Sequence, residues 1–366
     1  MARGCFLELD GKGLPEALRE LWRRMLEGPF GAILVPLEVE GGLVAPALVT
    51  SPEGVERSRA MAPYMGVNGA RVLQMMTRVS PPSKLTAAVL RPCEVRAAVE
   101  LRKLRQVAEE NLLLVALDCL GTYPLEEYRR RLEKGVAEES EPEEACLREA
   151  CRVCLWPVAP WADLRVGFVG LKGRLVLEAL TERGEDALRE MEFEIEELDL
   201  AGREAQLEEI IERRKAAEGE LLKLQQRELK GPEAILGALS ACIKCLNCMT
   251  VCPLCYCKEC FFNSPTFEME ADRFLRLASN RPALRMPSEV LLFHLTRMAH
   301  MATSCVACGM CQEGCPQDVP VFRLFKAVAK RVQGIFDYEP GRDPEEPLPL
   351  ATFREEELKE VEEPKI

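Results

Sequence analysis

Two stretches of this chain carry the same arrangement of thiols. Cys242, Cys245, Cys248 and Cys252-Pro253 repeat as Cys305, Cys308, Cys311 and Cys315-Pro316, each spaced Cys-x-x-Cys-x-x-Cys-x-x-x-Cys-Pro. This is the spacing that holds cubane [4Fe–4S] clusters. Three closely spaced thiolates wrap one face of a cubane. The fourth, displaced by the longer gap and the proline, reaches the neighbouring cluster. The pattern therefore pairs Cys242, Cys245 and Cys248 with Cys315, and Cys305, Cys308 and Cys311 with Cys252. Zinc is the competing metal, since it also takes four sulfurs. Zinc frameworks present separated Cys pairs, however, not runs of four closed by proline.

Outside the runs, Cys93, Cys119, Cys151 and Cys154 number the four needed for a third cubane. Cys151-x-x-Cys154 has ligand spacing, and the other two end neighbouring apolar segments; Cys146 is a substitute ligand and Cys5 a spectator. Cys255, Cys257 and Cys260 crowd a short loop after Cys252, where they could ligate a fourth centre, shield the first cluster or pack as small residues; three thiols so close favour the metal role. The two histidines, His294 and His300, precede the second run and are expected to pack near a cluster rather than ligate it. No phosphate-cradling glycine loop, Ser/His/Asp arrangement or His-Glu-x-x-His is found. An ordinary hydrolase or nicotinamide enzyme is not expected on that ground. Glu94 is better placed to hydrogen-bond a turn than to act as an acid or base.

The elements that must position these thiols can be read from periodicity. Thr86 to Leu90 is a short apolar strand, Arg91-Pro92-Cys93-Glu94 a turn, and Val95 to Val107 an amphipathic helix. Leu112 to Leu117 is the next strand, ending at Asp118-Cys119. A strand–helix–strand unit of this length makes a parallel pair. Chemistry in such sheets sits beyond the carboxyl ends of the strands, where both Cys93 and Cys119 fall. Leu14 to Glu27 has a helical period, and two strands meet at Gly41-Gly42, their prolines suggesting edge positions. A further strand pair spans 164–177. Residues 185–230 form one long or broken helix, with Gly202 and Gly219 as breaks.

The fold class expected is an α/β N-terminal domain plus an all-α C-terminal dicluster domain. Residues 1–184 form the first, with one cluster; 185–231 a charged, solvated helical connector; 232–338 the helical domain with two [4Fe–4S] motifs. The acidic, Pro-rich tail, 339–366, is expected to stay disordered or to order only on a partner. With 366 residues, a net charge of −12 and no basic stripe, nucleic acid and anionic membranes are poor partners. No apolar run approaches a bilayer span and no signal peptide opens the chain. Its 17 Cys therefore read as metal ligands in a cytoplasmic, anaerobic protein rather than as disulfides.

Arg91-Pro92-Cys93-Glu94-Val95-Arg96-Ala97, Leu117-Asp118-Cys119 and Cys151-Arg152-Val153-Cys154 leading to 162–167 resemble the beta-subunit family of deazaflavin-coenzyme hydrogenases and formate dehydrogenases. The cluster runs with Cys252-Pro-Leu-Cys-Tyr-Cys-Lys-Glu-Cys260 look like the formate dehydrogenase branch. The second run, with His300 and Val319-Pro320-Val321, also resembles the α-helical ferredoxins of heterodisulfide reductase relatives. The match spans residues 80–335. What it implies is an electron-relay subunit whose partners are the other subunits of an anaerobic redox complex: a hydrogenase, formate dehydrogenase or heterodisulfide reductase-like enzyme. The family usually carries FAD, but its glycine- and threonine-rich flavin segment is not found before Arg91. Three readings stay open: a wire of clusters alone, an FAD-containing subunit turning hydride from a deazaflavin donor into single electrons, and a zinc-stabilised scaffold.

Overall fold

A computed structural model describes residues 2–135, 141–281, 283–349 and 351–352. Its strands are β1 (Arg3–Glu8), β2 (Ala32–Glu38), β3 (Val44–Val49), β4 (Thr86–Leu90), β5 (Leu112–Leu117), β6 (Leu164–Gly167), β7 (Arg174–Ala179) and β8 (Glu196–Glu197). They form one mixed sheet in the order β3-β2-β4-β5-β6-β7-β1-β8. The four from β2 to β6 run parallel, as the strand–helix–strand unit required. Every residue of β4 and β5 is buried, which is why both read as unbroken apolar runs.

Among the described residues seven α-helices belong to this half: α1 (Leu14–Glu27), α2 (Gly69–Thr77), α3 (Pro92–Lys103), α4 (Leu125–Glu133), α5 (Glu149–Arg152), α6 (Glu182–Glu190) and α7 (Ala201–Glu228). The period of two along the strands sorts the core into two layers. Ile33, Val35, Val89, Leu113 and Val115 face α1, which contributes Leu18, Trp22 and Met25. Leu34, Leu90, Leu112 and Leu114 face α2 and α3. Leu254 and Val306 join the second layer, so the cysteine-rich half is packed directly on α3.

After β8 every described element is helical: α8 (Pro232–Ala238), α9 (Asn247–Thr250), α10 (Ala271–Ser279), α11 (Val290–Met301), α12 (Met310–Glu313) and α13 (Val321–Phe336), with single turns between them. Their core gathers Phe262, Phe293, Leu324 and Phe325 around Cys248 and Met249.

Four expectations need correction. β1 was not foreseen: Gly4 interrupts its strand propensity, yet a side chain there would strike the Leu177 carbonyl, so the close β1–β7 pairing requires glycine. Of the two proline-bearing strands only β3 is at an edge. β2 keeps Pro36 inside the sheet because β4 pairs only with Ala32 to Leu34, and Pro36 faces Pro46 across the other ladder. Two residues lacking N–H can oppose each other only at a non-hydrogen-bonded position.

The third correction concerns the connector. Residues 185–200 contain the end of α6 and β8, while α7 runs unbroken through Gly219. It reads as solvated because its inward face is polar. Arg203, Arg214, Glu218 and Gln225 are all buried, and they bind Asp118, the Leu120 carbonyl, Lys326 and the Arg323 carbonyl respectively.

Last, the start of the tail is docked on α3. Arg96 binds the Pro340 carbonyl at 2.9 Å and Glu339 at 2.9 Å. Tyr338 Oη and Gly341 N donate to the buried Glu100 Oε1 at 2.5 and 2.9 Å. Residues 353–366 lie outside the described residues. Tyr338→Phe removes one donor from a buried carboxylate and is expected to cost about 1.5–3 kcal/mol, read by urea unfolding. An unchanged midpoint would mean this strap adds nothing to the fold.

Candidate metal centres

The two C-terminal runs share one backbone design. Lys244 and Leu246 after Cys242 have positive φ (53° and 64°), and Ala307 and Gly309 occupy the matching places after Cys305 (54° and 77°). Non-glycine residues resist this conformation by about 1–2 kcal/mol each, so three of them in register mark an imposed geometry. It turns N–H groups toward sulfur: Lys244 N lies 3.4 Å from Cys242 Sγ, and Ala307 N–H hydrogen-bonds Cys305. The third cysteine of each run sits on a short helix, Cys248 on α9 and Cys311 on α12, and these two helices pack together.

The fourth cysteines cross over. Burial pushes the Cys248 thiol up to about 11; Arg297 opposes this, and the neighbouring Cys242, Cys315 and Cys245 add to it. Cys242, Cys245, Cys248 and Cys315 line one cavity with His294. Cys308, raised by burial to about 12, has Cys252 and Cys305 beside it, and Cys311 has Cys252, Cys308 and Cys305. Such thiols stay protonated until a metal takes the proton's place.

His294 Nε2 lies 3.4 Å from Cys242 Sγ, and burial holds its pKa down to about 4, so a neutral ring packs on this set. His300 is exposed.

The N-terminal cysteines also converge. Cys93 opens α3 directly after β4, Cys119 follows β5, and Cys151 and Cys154 arrive on α5 and the turn after it. Burial raises Cys93 well above an ordinary thiol, with Cys308, Cys119 and Cys154 among its neighbours. Cys119, raised by burial to about 11, neighbours Cys151 and Cys154. Burial pushes Cys151 up as well, but Arg148 and Thr122 outweigh it and leave this thiol below the usual value. Arg148 Nη2 and Thr122 Oγ1 each stand 3.5 Å from its sulfur. Glu94 is the hinge of this corner: its carboxylate accepts from Arg91 N at 2.8 Å and Gly69 N at 2.6 Å.

The neighbour relation between Cys93 and Cys308 joins this third set to the second. The three sets therefore follow one another through the molecule. Among the described residues no three His, Cys, Asp or Glu side chains close round a point as ligands of one ion would. A zinc ion holds its sulfurs at about 2.3 Å from a single centre, whereas a cubane spreads four thiolates round its corners. Four sulfurs with apolar walls and N–H groups turned toward them are what a cubane asks of its site, and the C-terminal sets offer these.

Five cysteines lie outside these three sets. Cys255 N donates to the Cys252 carbonyl and its thiol neighbours Cys257, which is exposed. Cys260 Sγ turns to Met249 Sδ at 3.6 Å within the apolar core. Cys146 Sγ points to the Glu143 carboxylate, and Cys5, on β1, is buried in the core layer that the sheet shares with α1.

Sequence reasoning missed what stands around Cys119. Asp118 is buried and held by Arg203 through two contacts of 2.6 and 2.7 Å. A cavity of about 380 Å³ opens here, lined by Arg91, Asp118, Cys119, Phe168, Gly170 and Gln206 among others. Asp118 at a strand's carboxyl end was a usable signal; Arg203, on a helix that reads as solvated, was not.

Residues 238–319 match the 4Fe–4S dicluster domain. The chain is 26% identical over 303 residues to the F420-dependent formate dehydrogenase subunit beta of Methanocaldococcus jannaschii, covering 71% of this chain and 74% of that protein. It is also 26% identical over 307 residues to the F420-dependent formate dehydrogenase 1 subunit beta of Methanococcus maripaludis, covering 72% and 75%. Its homologues are thus beta subunits of the branch that the cysteine motifs resembled, and the C-terminal helical region bears a dicluster domain.

Proposed function

We propose that the chain is an iron–sulfur relay subunit of a cytoplasmic formate dehydrogenase-type complex, carrying three [4Fe–4S] clusters in line. The observation that carries this is the succession of three four-thiol sets. The first holds the exposed Cys245, and the last ends at Cys119 beside the cavity. A cluster, once bound, supplies one-electron transfer at a potential set by its surroundings. The protein's part is to fix three such groups side by side, bury them and aim N–H groups at their sulfurs. No side chain need move a proton.

Two features favour a subunit over a free-standing protein. Its relatives are named as subunits. α10 buries none of its residues and, with Ile243, Phe261 and Leu292, leaves apolar side chains exposed in the cluster half. Among the described residues no helix is long and apolar enough to cross a membrane.

The cavity beside Cys119 favours a second reading, in which FAD sits there and passes electrons from a deazaflavin or similar hydride donor to the third set. Iron, sulfide, zinc and flavin counted on anaerobically purified chain separate these readings. We expect about twelve iron per chain. About eight would remove the N-terminal set, stoichiometric FAD would establish the second reading, and zinc without iron would sink both.

A further inference from the structure

Two buried arginines stand where successive thiol sets meet; among the described residues neither hydrogen-bonds a carboxylate, and the charge of Glu313 reaches only Arg148 of the two. Arg297 on α11 is 3% exposed. Its Nη1 donates to Cys248 Sγ at 3.1 Å and its Nη2 to the Cys248 carbonyl at 3.0 Å. Its charge also acts on Cys252 and Cys311 of the second set. The Phe325 and Phe293 rings pack on the guanidinium at 4.8 and 5.5 Å and keep water away.

Arg148, just before α5, is likewise 3% exposed. Its Nη2 reaches Cys151 of the third set, and its Nη1 lies 3.5 Å from Met310 Sδ, next to Cys311 of the second. The Nε of both arginines has no hydrogen-bond partner. A buried cation without a carboxylate is strongly disfavoured unless another negative group offsets it. Among the described residues, the neighbouring negative groups that act on Arg297 are sulfurs, and those that act on Arg148 are Cys151, Glu313 and Cys93.

A thiolate-ligated cluster is anionic and gains one more negative charge on reduction, so a fixed, dehydrated cation beside it favours the reduced form. We propose that Arg297 and Arg148 are the electrostatic joints of the relay. Arg297 raises the potentials of the two C-terminal clusters together, and Arg148 does the same for the third cluster and its neighbour. Each joint serves a transfer of one electron from one cluster to the next, oxidising the first and reducing the second, with no bond made or broken. The inference rests on the relay reading above.

The test is an EPR-monitored redox titration of the anaerobically purified full chain and its variants, with dithionite as reductant and iron and sulfide counted in each. Arg297→Gln is expected to keep its iron, with the C-terminal clusters tenfold less reduced at the wild-type midpoint. That corresponds to a fall of about 59 mV for one electron. Arg297→Lys keeps the charge and is expected to hold the wild-type midpoint. Equal midpoints in the wild-type and Gln proteins would overturn the proposal. Where Arg297→Gln sheds iron, the Lys variant decides: retained iron at the wild-type midpoint supports the role of charge, and lost iron or a tenfold fall refutes it. Arg148→Gln should lower the third cluster instead, and an unmoved third cluster removes that half of the proposal. A wild-type chain with no iron–sulfur signal would overturn the relay reading itself, before any variant is compared.

Discussion

Replacing Cys151 with serine is expected to take about four iron atoms from each chain and leave the signals of the C-terminal pair in place. Cys151 is the thiol of its set that Arg148 and Thr122 favour as thiolate. A serine hydroxyl there would keep the volume and the hydrogen-bond partners but supply no thiolate. The side chain is only half-buried and fills no large part of a core, so the fold should survive the exchange. Cys146→Ser is the matching control: that sulfur lies against Glu143 rather than in the set, and its loss should cost no iron. Iron counting with the visible spectrum reads both. Full retention in Cys151→Ser, or loss of every iron, would remove the N-terminal set as a separate centre.

The second large effect is on stability. Asp118 accepts from Phe168 N and Val169 N, each at 2.9 Å, and from both Nη groups of Arg203. Arg203 Nη1 also donates to the Val169 carbonyl at 2.7 Å. Both side chains are almost wholly buried, at 4% and 1% exposure. Arg203→Ala strands a carboxylate in the interior, and breaking such a pair typically costs about 3–5 kcal/mol. Urea unfolding should show the loss, and the third cluster should leave earlier because Cys119 follows Asp118 directly. Arg213→Ala breaks an ion pair with Glu144 in which both partners are well exposed, and should change little. Equal stability of the two variants would show that the Asp118–Arg203 pair does not anchor α7.

Much of the cluster chemistry was legible in the sequence because it is local. A Cys-x-x-Cys-x-x-Cys run spans too few bonds to point its thiols far apart, and matched left-handed residues in both runs show the chain committing to one loop shape. The strand–helix–strand unit was equally readable, since β4 and β5 are apolar throughout and their connection length leaves one arrangement. From that unit alone Cys93 and Cys119 could be placed at neighbouring strand ends.

What the sequence could not specify depends on partners far along the chain. α7 reads as solvated because the groups it buries are charged, and only Asp118 and Lys326 across the interface make that tolerable. Pro36 lies inside the sheet because the pairing of β2 with β4 ends at Leu34, before it reaches the proline. Glu339 and Pro340 read as tail, and it takes Arg96, brought in on another element, to hold them. The succession of the three thiol sets has the same origin. Spacing brings the thiols of one run together; the packing of Leu254 and Val306 on α3 decides that the second thiol set lies against the third. Arg297 and Arg148 look like any surface arginines in the sequence. Tertiary structure alone removes their water and sets cysteine sulfur against both guanidinium groups, with Glu313 near Arg148.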